Sequence, residues 1–476
     1  MVVWTSCTTT TNIAVTDPPS TEISKSNTTT AITTTTTTIA SKYPTFRSRS
    51  LKTVYSWLAG KRQDDGAEGL WRVHDTLYDL TEFIDRHPGG ADWIKLTKGT
   101  DITEAFESQH IRNHAEILLP LYKVRVARDP RNVQLTFHEH GFYKTLKRRV
   151  REISKNLDTR PARYSELIQD SLLIAFFALV FAAVTLGSYL VAALCGWVLA
   201  GTMICAHNFF HQKNNWRMRI FNLAFFSYRE QRISHVLSHH FYPNSILDLE
   251  ISFFEPFLCW LPRSSTKKNR IQRFGSWIYE PLVFAIMFLN EFIKRLVETL
   301  FTSTNAFYWD DLITLILPTF MYATSSNCLS SVLAMWIFIV LVGSFAFGFI
   351  SLNAAHHHPD IVHSGDSIPM NIDFGIYQIA TVIDRSDIRD SQLNVLTTFG
   401  HHCLHHLFPT MDHGLLPQLN SVFLETCAEF HLEYREYSWW QMFIGQHQQL
   451  ARVTPMTYVG SKERDKNQAT HDGCKA

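Results

Sequence analysis

The chain has 476 residues and a formal net charge of +1. This near-neutral balance excludes a protein that binds nucleic acid through a large positive charge. The eight cysteines form no C-x-x-C pair, which argues against a zinc ribbon or a disulfide scaffold. Charged residues make up only 18% of the chain, below the roughly 25% of an average soluble domain, and there are 23 histidines. The excess of histidine indicates metal binding.

The first 60 residues are rich in threonine, with an unbroken run from Thr33 to Thr38. They show no basic start followed by an apolar stretch, so no secretory signal is expected. Because such a segment has little apolar surface to offset its ordering entropy, residues 1–60 are predicted to be a disordered tail. A glycosylated stalk is the alternative.

A change of composition near Leu70 marks the start of a small globular domain. Residues 71–73 and 77–80 are predicted to be short strands around a turn. The sequence His87–Pro88–Gly89–Gly90 forms a constrained loop, whose glycines leave room for a large planar ligand. This loop, the run 71–85 before it and the segment 101–106 followed by His110 together resemble cytochrome b5.

The resemblance implies a small α+β haem-binding domain over residues 64–130, which we call the haem module. His87 and His110 would be the axial ligands of a haem b, with His114 as the alternative to His110. The other residues that the resemblance implies for the haem pocket are Phe83, Pro88, Gly89, Gly90 and Phe106. Since two imidazoles fill both axial positions, such a haem transfers single electrons and does not activate O₂.

Two long uncharged runs, 171–206 and 312–355, follow a basic linker over residues 131–165. Each is too long for one membrane span of about 20 residues, which favours two hairpins. The segment 277–300 between them contains charged residues and is predicted to be an interfacial helix. The domain over 166–445 is then all-α, with four spans and a cytosolic helical cap. The predicted spans are 168–187, 189–208, 311–326 and 330–352, and residues 446–476 are a predicted polar tail.

Lysines and arginines cluster before the first span and after the second, which predicts that both termini face the cytosol. Arg229, Arg232, Lys267 and Lys268 are interpreted as part of this bias, with binding of a lipid or CoA head group as the alternative.

Three histidine segments lie on the same predicted side of the membrane, since two spans separate the second segment from the third. The first contains His207 and His211, the second His235, His239 and His240, and the third His402, His405 and His406. Spacings of three and four residues place imidazoles on one helix face. Eight imidazoles exceed the four ligands of a zinc site, which favours a two-metal centre.

These segments are similar to the histidine boxes of the membrane fatty acid desaturase and hydroxylase family, which bind two irons. Asn353–Ala354–Ala355–His356 resembles a further ligand of the acyl-CoA branch, so His356 is the expected ninth ligand and His357 its alternative. His401 is the alternative to His402 in register. Asp248 and Glu250 resemble an acidic stretch that follows the second box.

At two positions the sequence departs from family members that carry a fused cytochrome b5. Both departures bear on which position of the acyl chain would be attacked. Members with a fused cytochrome b5 often have Asp where this chain has Asn208, and Gln where it has His402. These differences argue against assignment to the front-end desaturases. Among fused members, the chain resembles the insect cytochrome b5-related group.

The resemblances together imply a multi-pass membrane oxidoreductase of the endoplasmic reticulum, with its haem and histidines facing the cytosol. It would desaturate a membrane lipid or acyl-CoA at two non-haem irons, reducing O₂ to water with electrons from NADH-cytochrome b5 reductase and its own haem. No catalytic residue beyond the metal ligands and no nucleic-acid partner are expected. The alternatives are a lipid hydroxylase, or a haem-binding electron carrier with a non-catalytic membrane domain. A metal transporter is disfavoured because the hairpins carry no charge at mid-membrane depth.

Overall fold

The N-terminal segment is folded from Thr35 onward, which corrects the prediction of a disordered tail over residues 1–60. In the computed structural model, residues 35–262, 268–302 and 304–458 are described, so the first 34 residues of that prediction lie outside them. Phe46 and Trp57 are buried, and the Trp57 indole donates a hydrogen bond to the carbonyl of Leu247 at 2.9 Å. The threonine-rich composition hides these few apolar residues, whose burial depends on partners far along the chain.

Two elements of this segment attach it to the rest of the chain. Strand β1 (Thr35–Thr36) pairs with a strand more than 300 residues later in the chain and helix α1 (Val54–Asp64) begins with a capping box between Thr53 and Ser56.

The haem module is an α+β fold, as predicted. Its three-stranded antiparallel sheet has the order β2-β3-β4, and Trp71, the first residue of β2, is fully buried. Several short helices lie between β3 and β4 in the chain. The elements are β2 (Trp71–Val73), β3 (Thr76–Tyr78), a 3₁₀ helix (Thr81–Arg86), α2 (Ala91–Leu96), α3 (Thr103–Gln109), α4 (His114–Leu118), a 3₁₀ helix (Leu119–Tyr122) and β4 (Lys123–Val126).

The predicted linker contains a helix, α5 (Phe142–Ile153), that packs between the haem module and the remainder of the chain. Its Lys147 is buried and pairs with Glu107 and Glu116 of the haem module, both at 3.1 Å. The two domains are therefore connected by packed structure rather than by a flexible tether.

Helices α6 (Arg160–Leu186) and α7 (Tyr189–Phe210) form the first predicted hairpin. Gly187 ends α6 in the left-handed conformation at φ +63°, which favours glycine at this turn. The helices between this hairpin and the end of the apolar region are α8 (Tyr228–Gln231), α9 (Leu249–Phe254), α10 (Ser276–Phe301), α11 (Ile316–Ala323) and α12 (Leu329–Ser351).

By length and composition, four described helices are able to cross a membrane: α6, α7, the helix Ile271–Phe301 that includes α10, and α12. The third differs from the prediction, which placed a span at 311–326 and an interfacial helix at 277–300. Residues 309–323 instead form a 3₁₀ helix (Trp309–Leu315) followed by α11, so no single long helix lies there.

Three of the charged residues of α10, Glu280, Arg295 and Glu298, are buried. Glu280 accepts a hydrogen bond from Gln446 at 2.5 Å, and Arg295 donates one to the carbonyl of Phe225 at 2.5 Å. Each of these two side chains therefore has a hydrogen-bond partner within the domain.

The C-terminal part folds back over the histidine segments as a helical cap. Its last helix extends beyond residue 445, which corrects the predicted tail over 446–458, while residues 459–476 lie outside the described ranges. Gln446 and Leu450 are buried in this extension. The elements are β5 (Ile368–Pro369, the partner of β1), α13 (Phe374–Thr381), β6 (Asp384–Arg385), α14 (Gln392–Thr398), α15 (His402–Leu407), α16 (Asn420–Glu429), β7 (Glu436–Tyr437, parallel to β6) and α17 (Trp439–Ala451).

Candidate haem site and metal centre

His87 and His110 face each other across a gap in the haem module. Their ring centroids lie 6.2 Å apart, and an axial bond of about 2 Å on each side requires a separation of this size. The Nδ1 of His87 donates to the carbonyl of Gly90 at 3.0 Å, and the Nδ1 of His110 donates to the carbonyl of Phe106 at 2.9 Å. Both rings therefore offer Nε2 to a metal. The residues fit a haem with two histidine ligands.

Three of the other predicted pocket residues, Phe83, Phe106 and Gly89, lie beside the two imidazoles. Phe83 lies 5.9 Å from the His87 ring and Phe106 lies 5.3 Å from the His110 ring. A Cβ on Gly89 would come within 2.9 Å of the His87 ring, which explains the glycine. His114, the alternative ligand, begins α4 and is exposed.

The nine predicted metal ligands converge into two groups of imidazoles, and all nine are buried. We call them group A and group B. Group A consists of His207, His211, His235, His240 and His405. Group B consists of His239, His356, His402 and His406. A third possible metal-holding set, His235, His239 and Glu250, overlaps both groups.

A π-helix (Arg232–His239) divides the second histidine segment between the two groups. Its backbone bond from the His240 amide to the His235 carbonyl measures 2.9 Å and spans five residues. This register brings the Nε2 atoms of His235 and His240 to 3.0 Å in group A, while His239 joins group B. The spacing of the sequence predicted that the imidazoles are close, but not this division.

Regular helical spacing orients the other segments. His207 and His211, four residues apart at the end of α7, have their Nε2 atoms 3.0 Å apart. In α15, His402 and His406 come within 3.2 Å in group B, whereas His405 points to group A, 3.2 Å from His207.

The distances between the nitrogen atoms fit metal ions. Imidazole bonds of about 2.1 Å at right angles put neighbouring nitrogens about 3.0 Å apart. The Nε2 atoms of group A are separated by 2.7 Å for the His207–His235 pair, and those of group B by 2.8 Å for the His356–His402 pair. Burial and neighbouring imidazoles lower the pKa of His402 well below its ordinary value, so this ring is neutral and its lone pair is available.

Four of the rings are oriented by partners on Nδ1. His235 donates to Glu250 at 3.1 Å and His239 donates to Asp248 at 2.9 Å. Sequence reasoning identified this acidic stretch, but it missed the two partners in group B. These are the Thr381 carbonyl, 3.1 Å from His356, and the Gln378 side-chain oxygen, 3.0 Å from His406. Such partners fix the tautomer that presents Nε2 to a metal.

The alternative ligands lie outside both groups. His401 adopts a left-handed backbone conformation at φ +52° before α15, and His357 stacks on Trp260 with 4.1 Å between ring centroids. Asn208, the departure in the first segment, donates to the Asp412 carboxylate at 2.7 Å and accepts from the His413 backbone N–H at 3.0 Å. It belongs to a hydrogen-bond network beside the metal groups and is not a ligand in this arrangement.

A cavity of about 750 Å³ leads to both groups between α9, α10 and α12. Aromatic and aliphatic side chains form most of its wall, and His207 and His239 lie at its surface. A cavity of this character accommodates an apolar chain and brings it to the imidazoles.

Three of the basic residues interpreted as part of the positive-inside bias, with head-group binding as the alternative, contact other parts of the chain. Arg229 pairs with Asp92 and Asp310, and Arg232 is buried. Lys268 donates to backbone carbonyls, including that of Leu450 at 3.2 Å. Lys267 lies outside the described residues.

The sequence matches the fatty acid desaturase family over residues 179–438 and the cytochrome b5-like haem/steroid-binding domain over residues 57–128. The chain belongs to the fatty acid desaturase family and has a cytochrome b5-like domain at its N-terminal side.

Its relatives include a cytochrome b5-related protein of Drosophila melanogaster, 47% identical over 88% of this chain and 96% of that protein. A cytochrome b5-related protein of Drosophila virilis is 58% identical over 132 residues, 28% of this chain and 92% of that protein. More distant is an acyl-lipid (8-3)-desaturase of Mortierella alpina, 23% identical over 78% of this chain and 90% of that protein. No solved structure matches the chain significantly. The resemblance to the insect group is thereby confirmed, and the family implies an oxidoreductase with haem and iron.

Proposed function

We propose that this protein is a membrane-bound lipid desaturase that uses O₂ and the electrons of its own haem module. The observation that carries the proposal is the convergence of nine buried imidazoles into two groups at the inner end of an apolar cavity. Two non-haem irons bound there would supply O₂ activation and removal of hydrogen from unactivated C–H bonds, chemistry that no side chain provides.

The chain's own contribution is binding, orientation and exclusion of water. The nine imidazoles would hold the irons, and Glu250, Asp248, Gln378 and the Thr381 carbonyl keep four of the rings in the required tautomer. Apolar side chains that line the cavity, such as Phe254, would bind the acyl chain of a membrane lipid or acyl-CoA. They would also keep bulk water away from that acyl chain.

We also propose that four segments cross the membrane, with the haem module and the histidines on the cytosolic face of the endoplasmic reticulum. Asn222 donates to the Asp310 carbonyl at 3.1 Å, and Asn327 donates to the Val184 carbonyl at 2.8 Å. Residues 310–327 thus run from the histidine side to the opposite end of α6, and they would cross beside it. Helix α10 has Glu280 and Arg295 bound to segments near the histidines, so it would lie along the cytosolic face.

Iron analysis and lipid profiling test the proposal. Purified protein should contain two irons per chain besides one haem, with NADH-cytochrome b5 reductase as the expected electron source. Cells that express the protein should contain more of one unsaturated lipid than cells that express the variant with His405→Ala and His406→Ala. A hydroxylated product would indicate a hydroxylase. Haem without further iron, together with unchanged lipids, would refute catalysis and favour an electron carrier.

A further inference from the structure

Arg232 lies between the haem module and the first two histidine segments. It is the first residue of the π-helix, three positions before His235, and it is only 1% exposed. Its Nε donates to the Phe210 carbonyl at 3.0 Å, and its Nη2 donates to the Gln212 carbonyl at 3.2 Å. These two carbonyls flank His211. One guanidinium thus joins the second histidine segment to the backbone of the first.

The same guanidinium contacts the haem module in two ways. Its central carbon lies 4.6 Å from the centre of the Trp93 ring, in helix α2. Its Nη1 donates to the Asn214 side-chain oxygen at 2.7 Å. The Asn214 amide in turn lies against Gly90, where a Cβ would come within 2.8 Å of it. The absence of a side chain at Gly90 therefore makes room for Asn214, in addition to its role in the loop that carries His87.

A second arginine reinforces the contact one turn earlier. Arg229 donates to the Asp92 carboxylate at 3.1 Å, next to Trp93 in the haem module. Residues three apart lie on the same helix face, so both arginines are able to contact α2.

The partners of Arg232 argue for a role in positioning. Its hydrogen bonds within the described part of the chain go to neutral acceptors. Burial lowers the pKa of Arg232 to about 10, although the residue remains charged at neutral pH. A buried charge without a hydrogen-bonded carboxylate is expensive, and a hydrophobic residue of similar size would often be as stable. What the planar guanidinium provides is a fixed geometry between the first histidine segment, the second histidine segment and α2.

We propose that Arg232 is a positioning residue that docks α2 and the His87 loop onto the first two histidine segments. This contact sets the distance between the haem module and group A, which the proposed function does not assign. Only the purpose of the docking rests on the proposed function.

Hydrogen–deuterium exchange of the full-length, haem-loaded protein in nanodiscs tests the docking directly. Arg232→Gln removes the fork, and Trp93→Leu removes its aromatic partner from the other side. Both variants should accelerate exchange in residues 87–96 by about ten- to thirty-fold, as expected for loss of a desolvated cation–π contact. The double variant should be no faster than Arg232→Gln alone, because that change already removes the partner of Trp93.

Three controls separate docking from folding. Exchange in residues 71–78 and the haem absorbance should match those of the native protein, since the inner sheet and the axial ligands are untouched. Arg217→Gln is the matched variant, because Arg217 lies near the same segments but pairs with Asp170 at 2.7 Å. It should leave exchange in residues 87–96 unchanged.

Native exchange rates at residues 87–96 in Arg232→Gln and Trp93→Leu, or additive effects in the double variant, would overturn the proposal. If Arg232→Gln fails to fold, as shown by loss of protection in residues 71–78, Trp93→Leu decides alone. None of these readouts depends on non-haem iron or on desaturation. A protein that lacks desaturase activity but shows the exchange effects would refute the proposed function and support the docking.

Discussion

Replacing Glu250 by Gln should weaken metal binding by group A without removing any of its imidazoles. The Glu250 carboxylate accepts the Nδ1 hydrogen of His235 at 3.1 Å and lies 3.7 Å from Nδ1 of His239, so it touches one ring of each group. Burial opposes ionisation, but the two neighbouring rings lower the pKa of Glu250 to about 2, so the carboxylate is charged at neutral pH. Glutamine keeps the shape and one acceptor oxygen and loses the charge.

The magnitude follows from the kind of bond that is changed. Loss of a partner that orients a metal-binding histidine costs about 10- to 100-fold in metal affinity. This range corresponds to about 1.4–2.7 kcal/mol, which matches a hydrogen bond to a charged group at about 1.5–3 kcal/mol. Because Gln retains an acceptor, Glu250→Gln should lie near the ten-fold end, and Glu250→Ala near the hundred-fold end.

Competition between the iron-free protein and a chelator of known affinity measures this change. Glu291→Gln is the matched control, since Glu291 lines the same cavity but pairs with Lys294 at 2.6 Å. The haem content should be equal in all three variants and in the native protein. Native iron affinity in both Glu250 variants would refute the reasoning that this carboxylate orients His235 for a metal.

Three further predictions concern the metal groups, the haem and the N-terminal segment. The variant with His405→Ala and His406→Ala loses one ligand from each group, so iron analysis should show loss of non-haem iron with haem retained; full iron content would contradict the assignment. His110→Ala leaves a single axial imidazole, so the absorption bands of the haem should shift or disappear while non-haem iron stays bound; a native spectrum would favour His114. Trp57→Ala empties a buried site and should lower the free energy of unfolding by about 3–5 kcal/mol, measured by denaturant titration against the half-exposed Trp216→Ala. Equal stability of these two variants would mean that the N-terminal segment contributes little.

The ligand residues were predictable because short-range spacing encodes them. Imidazoles three or four residues apart share a helix face whatever the rest of the chain does, so eight of the nine histidines follow from spacing within their segments. The ninth, His356, was expected only from the resemblance of residues 353–356 to a family ligand. The N-terminal segment was not predictable in this way. Trp57 bonds to Leu247, which lies 190 residues further along the chain, and no local pattern shows that pairing. The partners of Arg229 and Arg232 were not predictable for the same reason, since a charge bias says nothing about the contacts that the fold supplies.

Helical spacing in the sequence was not sufficient to predict that the second histidine segment is divided between groups A and B. In an α-helix the fifth residue after His235 would sit about 140° around the axis, so His240 would point away from His235. The π-helix brings residues five apart almost above one another, and His235 and His240 then meet in group A. His239, one position earlier, is free to enter group B. The unusual register therefore lets one short helix provide ligands to both groups while its first residue, Arg232, contacts the haem module. A regular α-helix with the same sequence would supply the three imidazoles but not this division.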